Sequence, residues 1–503
     1  EDGNMQMILN CRADNDLYSV LAKSGVTCAR YDTAAEAVAH ASPGSAILIL
    51  ADGYPEKTTD IPADILDVAA RKNVRLFVEY PTAIPELAIG APQSTIWERG
   101  VVASDEFGAA LPKLRILGIH DCHYVPTTAA NPMIIVARIA GFDKAVYGIP
   151  ANAQPILFEV PERNLLVATT KLSDFVTGRY APTSGWKTIW EHILRTLDPG
   201  AKVDLRWTPD VSPAYGASDK LPPNCEKRSF DSAAKWFHDS LLLVHPSREA
   251  ELNRMLRGNI EITETPGPDA PMGDGSHGLL EGYASAVQVD GKQLQRIPLR
   301  ADCQAEAAMT LAMDWVINDQ SGSRDTAQNL LDYVYFTSGM CKGGRGNPEH
   351  PAFGHIAWGD IAPGWLIANY GDDNARVLLG TMLTAACLGS DTWDEMLLRG
   401  LMANLRTTGP EGFRGDRVDM PQLEANGWKY YEQTSRVNTA PHFESYLWAC
   451  YLWAYQQTHY KPFLDKTKTA IRMTMDDYPQ GWRWQDSVER ARMILCLSWL
   501  VRL

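Results

Sequence analysis

The feature that most constrains this chain is a change in the period of its apolar residues near residue 229. Before that point, short unbroken apolar runs alternate with amphipathic stretches. After it, apolar residues recur mainly at helical spacing. SAILILADG (45–53), VRLFVEYP (74–81), LRILGIHDCHY (114–124) and MIIVARI (133–139) read as strands. AAEAVAHA (34–41) and ADILDVAARKN (63–73) read as helices between them. PILFEVPERNLLVATTKL (155–172) reads as a hairpin that feeds a closing helix, GWKTIWEHILRTLD (185–198). Strands alternating with helices predict a parallel or mixed sheet covered on both faces over residues 1–198. Residues 199–228 are rich in Pro, Asp and Ser and read as a linker. Residues 229–503 then form an all-α domain with a small β-hairpin insertion, whose turn is the Asp-Gly pair of VDGK (289–292). A chain of 503 residues is expected to hold two or three domains.

Within the second part, helices are predicted at 302–318, 324–337, 363–370, 373–388, 392–405, 440–457, 461–475 and 485–502. Long loops at 338–360 and 406–439 alternate with short ones near 371, 390 and 459. Helical hairpins joined by loops of alternating length are what a closed ring of paired helices requires. Inner helices then enter from the long loops on one face.

Charge and motif content exclude several function classes. A net charge of −14 argues against nucleic acid and against a basic membrane-binding patch. No run of about 18 apolar residues is present, so no membrane insertion is expected. The nine cysteines are widely spaced with no CxxC pair, which gives no zinc or redox signature. HExxH, EF-hand and P-loop patterns are absent, so no metal and no cofactor are expected. The opening EDGNMQMILNC has neither a charged n-region nor an initiator Met. The expectation is a periplasmic or secreted protein whose signal peptide has been removed or is absent.

Acids at the starts of inner helices are the candidate chemical groups, because a helix N-terminus carries partial positive charge and free N–H groups. Asp302 follows Arg300 and reads either as an N-cap or as a functional acid; Glu306, one turn on, shares its face. In GHIAWGDIAPGW, Asp360 lies close to His355 and Trp358 and again reads as cap or catalyst. A tryptophan there offers a stacking wall and the desolvation that raises a carboxylate pKa. Glu444, beside His442, falls in the first turn of a helix starting near Thr439 without clean capping-box spacing. Asp372 and Asp373, in YGDDNARVLLG (370–380), stand at a helix start and read as part of a tight inter-helix turn. Asp486 and Glu489 open the last helix, just after Trp482 and Trp484. Arg414, Arg417 and Arg436 either clamp a substrate carboxylate or offset local acids. Cys122, flanked by His120 and His123, reads as a structural loop residue or a Cys-His site. No nucleophile elbow accompanies it.

From GLLEGYASAVQVDGK onward the chain resembles the six-hairpin glycosidase superfamily, the (α/α)6-toroid hydrolases. The resemblance rests on the glycine-rich loop before AFGHIAWGD, the YGDDNAR turn, the PHFESYLWACYLWAY helix and the closing RMILCLSWLVR helix. The first 198 residues resemble the amidotransferase-like accessory domains, flavodoxin-like in their sheet, that are attached to some glycosidases. These resemblances imply a glycoside hydrolase acting on a carbohydrate substrate, commonly with inversion. They also imply a non-catalytic N-terminal module that serves packing or homo-oligomerisation. No catalytic pair transfers from the family. By position, the acid and base are Asp360 and Glu444, with Asp302 as the substitute for either. The substrate contacts are Arg300, Glu306, His355, Trp358, Arg414, Arg436, His442 and Trp482. An inverting pair stands roughly 6.5–9.5 Å apart. Two other readings stay open. One is a polysaccharide lyase drawing on His355, His442, Tyr430, Tyr431, Arg436 and Asn438. The other is a non-catalytic glycan-binding or assembly protein.

Overall fold

Unbroken aliphatic runs become strands whose alternate residues enter different cores. In the computed structural model, Ile8 and Ile47 pack on one face of a sheet, and their neighbours Leu9 and Leu48 on the other. The structure describes residues 7–503 except 202, 213–214, 216–218, 285–291, 416 and 484–486. The chain divides into two units, Glu1–Asp219 and Lys220–Leu503.

The first unit opens as β1 (Met7–Asn10), α1 (Asp16–Lys23), β2 (Ala29–Tyr31), α2 (Ala34–His40), β3 (Ala46–Ile49), α3 (Ala63–Arg71) and β4 (Arg75–Glu79). It continues through β5 (Gln93–Ser94), β6 (Arg99–Val102), β7 (Ile116–Leu117), β8 (His123–Tyr124), β9 (Ile134–Ala137), β10 (Gln154–Val160) and β11 (Leu165–Ala168) to α4 (Thr183–Leu197). Nine strands form one mixed sheet in the order β2-β1-β3-β4-β11-β10-β9-β6-β7, and β5 pairs separately with β8. The ladder from β2 to β11 is parallel and the remainder is antiparallel. Trp186 and Trp190 of α4 join α1 on one face; α2 and α3 cover the other. The strand predicted over 114–124 is not continuous. Leu114 (φ 71°) and Asp121 (φ 48°) are left-handed, which breaks the extended run and leaves only β7 and β8. At the end of β4, buried Glu79 accepts from the N–H groups of Ala51, Leu172 and Ser173 and from the Ser173 hydroxyl. One carboxyl thus ties together the segments that follow β3, β4 and β11. Burial outweighs these donors and pushes Glu79 up to about 7.

The second unit begins with α5 (Cys225–Asp239), whose first four residues fall in the stretch read as linker, and α6 (Pro246–Arg257). Short strands follow: β12 (Ile262–Thr263), β13 (Gly282–Tyr283), β14 (Gln295–Arg296) and β15 (Leu299–Arg300). The antiparallel pair β13–β14 flanks the predicted Asp-Gly turn, but Val289, Asp290 and Gly291 lie outside the described residues. Then come α7 (Ala301–Asn318), α8 (Ser321–Asp332), β16 (Gly359–Asp360), α9 (Pro363–Ile367), α10 (Gly371–Leu388) and α11 (Asp394–Thr407). The unit ends with α12 (Met420–Gln433), α13 (Pro441–Thr458), α14 (Lys461–Asp476) and α15 (Ser487–Val501). Three helical hairpins recur: α7–α8, α10–α11 and α13–α14. In each, the first helix stops at a left-handed residue, Asp319, Gly389 or His459. The first helices pack side by side, α7 on α10 and α10 on α13, with α15 next to α13. Their buried residues are spread around the helix, whereas α8, α11 and α14 are amphipathic.

Two sequence readings change. The helix predicted over 363–370 ends earlier, at Ile367, so the short loop read near 371 falls at 368–370, between α9 and α10. The loop predicted over 406–439 contains α12, held by a capping box between Asp419 and Gln422. Gly427 (φ 71°) interrupts that helix, and this break hid its period in the sequence.

Candidate functional site

The starts of α7, α10 and α13 come to one place. Arg300, the N-cap residue of α7, donates to both oxygens of Asp302 (3.0 and 2.8 Å) and to Asp373 Oδ1 (2.7 Å). From α10, Arg376 lies 2.6 Å from Asp302 Oδ2 and 3.7 Å from Asp372, and also pairs with Asp373. Arg492, in the second turn of α15, reaches Asp372 at 3.3 Å and donates to the carbonyl of His442. The His442 ring stands 3.9 Å from Asp372. Asp302, Asp372 and Asp373 are all buried. Burial raises the pKa of Asp372 and of Asp373, and in Asp373 the neighbouring acids add to it. The guanidiniums oppose that rise and hold the cluster together.

Glu306, one turn along α7, is the acid that leaves this cluster for a groove. Its side chain is 40% exposed and lies 3.8 Å from Arg376 Nη1. The groove has a volume of about 480 Å³. Glu306 and Arg376 form its polar end; Tyr446, Trp453 and Trp499 supply aromatic wall, and Met309, Leu383 and Leu495 are among its aliphatic lining. Burial raises the Glu306 pKa, Asp302 adds to the effect and Arg376 opposes it. A carboxyl held toward its protonated form beside aromatic surface is equipped for general-acid work.

The structure brings Arg300, Asp302, Glu306 and His442 together, and it adds Asp372 and Asp373 to them. These last two acids stand in the first turn of α10, the helix start where the sequence places them, and their role goes beyond the turn. The Arg376 four residues after Asp372 was the local sign of it. Asp302 is not a cap, since Arg300 occupies that position and no side chain caps the helix. Nor is Asp360, which pairs with Leu299 in a short ladder while Ala362 is the N-cap residue of α9. Its carboxylate accepts from the Tyr333 hydroxyl and from the N–H of Gly339 and of Ile361, each at 2.9 Å. Glu444 is fully buried and accepts from the N–H of Arg414 and Gly415, pinning that loop to α13. Burial pushes it up to about 8. Asp360 and Glu444 share no hydrogen-bond partner, and neither lines the groove.

The remaining predicted contacts spread out. Trp358 stacks on Trp365 (3.9 Å, 11°) with Arg300 over its ring. Trp482 is buried against Tyr478 and donates to Thr474 O. His355 and Arg414 are buried, and Arg436 lies over Tyr431. Asp486 and Trp484 fall outside the described residues. In the first unit, Cys122 is buried and its thiol is pushed up to about 12, which leaves no thiolate for a Cys-His reaction at neutral pH.

All nine cysteines are free. Among the described residues no group of three or more His, Cys, Asp or Glu is arranged to hold a metal ion, and no helix is long and apolar enough to cross a membrane. No protein-family model matches this sequence, and no curated protein matches it.

Proposed function

We propose that the helical unit is built on the α/α-hairpin toroid plan and hydrolyses a glycosidic bond in a poly- or oligosaccharide. The observation that carries this reading is the convergence of three helix starts on one acid–guanidinium cluster that opens, through Glu306, into an aromatic-walled groove. Glu306, which lines the groove, is the general acid of the proposal; Asp372, buried at the Nη2 side of Arg376 and not itself in the groove lining, is the general base. Glu306 lies 3.8 Å and Asp372 3.7 Å from the guanidinium of Arg376, which caps their separation at about 10 Å, an upper bound compatible with an inverting pair. Arg300, Arg376 and Arg492 position the acids, and Tyr446 and Trp453 face the sugar rings. Asp360 and Glu444, the pair suggested by chain position, hold loops in this reading. The first unit is a non-catalytic, amidotransferase-like accessory module, a role supported by the inert setting of Cys122.

The test is a screen of the full chain against structurally varied glycans, reading reducing ends and ultraviolet absorbance together. Hydrolysis releases reducing ends without new absorbance. Glu306→Gln is expected to lower kcat/KM by about 10²-fold or more on the responsive glycan. Full activity in that variant sinks the role given to Glu306. An ultraviolet-absorbing product replaces hydrolysis by elimination.

A further inference from the structure

Away from the groove, the segments around residues 345–355 and 406–415 bury cations for which the chain supplies little counter-charge. Arg414 is fully buried. Its Nε donates to Thr407 Oγ1 (3.2 Å) and its Nη1 to Asn369 O (3.3 Å), while Nη2 has no partner. Arg345, also buried, donates to Asn369 Oδ1 and the carbonyl of Ala368, so it meets Arg414 on the same residue, and its own carbonyl accepts from the N–H of Gly354, next to His355. His355 is 1% exposed, and neither of its ring nitrogens is hydrogen-bonded. Burial, followed by the charges of Arg414, Arg345 and Arg406, holds its pKa well below the usual value, so it is a neutral ring with one N–H to give. Arg406 and Arg436 donate to the carbonyls of Phe353 and Thr407, and the Nε of each is unpartnered.

Among the described residues, none of these four guanidiniums lies within ion-pair distance of a carboxylate. Glu444, the buried acid nearby, turns its oxygens to backbone N–H groups instead. Burial depresses Arg414 and Arg345 to about 10, which still leaves both charged at neutral pH. A buried charge without a partner is strongly unfavourable. Water can satisfy an orphaned donor but cannot neutralise the excess charge.

We propose that this cluster binds a small inorganic anion of the halide class, held by Nη2–H of Arg414 and a ring N–H of His355. The anion is small because both donors are sealed from solvent, and it is enclosed as the unit folds. It anchors Arg414, whose Nη1 lies so close to Gly371 that a Cβ there would meet it at 3.4 Å. Gly371 opens α10 and directly precedes Asp372. The anion therefore supports the acid-bearing helix start, and the proposal stands whether or not the groove cleaves glycosides.

The test uses the full chain prepared in sodium bromide or in sodium gluconate at equal ionic strength. The melting midpoint is expected to rise by about 2 °C for each tenfold increase in bromide once the site is mostly filled. Crystals grown in bromide should show an anomalous peak between Arg414 and His355. Arg414→Met should abolish the bromide dependence. His355→Phe, which keeps the ring volume and removes the N–H, should weaken it without removing the fold. Equal midpoints in the two salts, or a bromide crystal with no anomalous peak at this site, overturn the proposal.

Discussion

Arg376 is the side chain that most of the acid cluster depends on, since it meets Asp302, Glu306, Asp372 and Asp373. Removing one partner of a buried ionic group leaves the rest uncompensated, at a cost of about 3–5 kcal/mol. Arg376→Met is expected to lose that much at pH 7 by urea denaturation. The loss should be smaller at pH 5, because Asp372 and Asp373 already have raised pKa values and take up protons more readily as pH falls. Adding Asp373→Asn should restore part of it, as that change removes a charge the methionine variant cannot balance. Equal losses at both pH values would show that Arg376 acts by packing instead. Glu79 gives a second reading at the same scale, with the opposite chemistry. Its folded pKa of about 7 lies above the ordinary carboxylate value, so the native state keeps a proton that the unfolded chain releases. The stability from this proton is fully present below the unfolded pKa and is lost as pH rises through about 7. The span corresponds to roughly 3 kcal/mol. Glu79→Gln, which cannot ionise, should flatten the fall in stability between pH 4.5 and 8. A pH dependence identical to that of the parent would remove Glu79 as its source.

At the scale of elements, the helical unit is organised around the close approach of α7 and α10. Gly380 makes it possible: a Cβ there would sit 2.6 Å from the carbonyl oxygen of Ala305 and 2.9 Å from its Cβ. Ala301, Ala305, Ala308 and Ala312 keep the facing helix thin. Gly380→Ala must push the helices apart, and about 1–3 kcal/mol of destabilisation is expected, read as a lowered melting midpoint. A neutral or stabilising effect, as an exposed helical Gly→Ala change gives, would mean that the two helices can separate at little cost. The same helices explain which parts of the fold were legible in the sequence. α7, α10, α13 and α14 announce themselves through long apolar runs at helical spacing, and their observed bounds fall within two residues of the reading. α12 does not, because Asn426 and Gly427 break its pattern while its capping box does the work of starting it. The site was legible only in part, for a physical reason. Arg300, Asp302 and Glu306 are neighbours in sequence, but the pairing of Arg300 with Asp373 spans 73 residues and leaves no local pattern. Asp360 looked like a cap because Pro363 follows it closely, yet its carboxylate is claimed by Tyr333 and Gly339 from a distant part of the chain.

For the whole molecule, the two units differ in how they are stabilised. The first surrounds its sheet with aliphatic cores on both faces and joins three strand ends through Glu79. The second packs helix on helix and buries Asp302, Asp372 and Asp373 in one ionic network at helix starts. Each has a hydrophobic core of its own, which is the condition for a separate cooperative transition. Calorimetry of the full chain is therefore expected to resolve two transitions. The variants above assign them without cutting the chain. Glu79→Gln should move one transition and leave the other in place. Gly380→Ala should do the reverse. Bromide should raise only the transition that Gly380→Ala lowers, because the Arg414–His355 cluster lies wholly in the helical unit. A single transition displaced by both substitutions would contradict this picture, since it would mean that neither core holds its fold without the other.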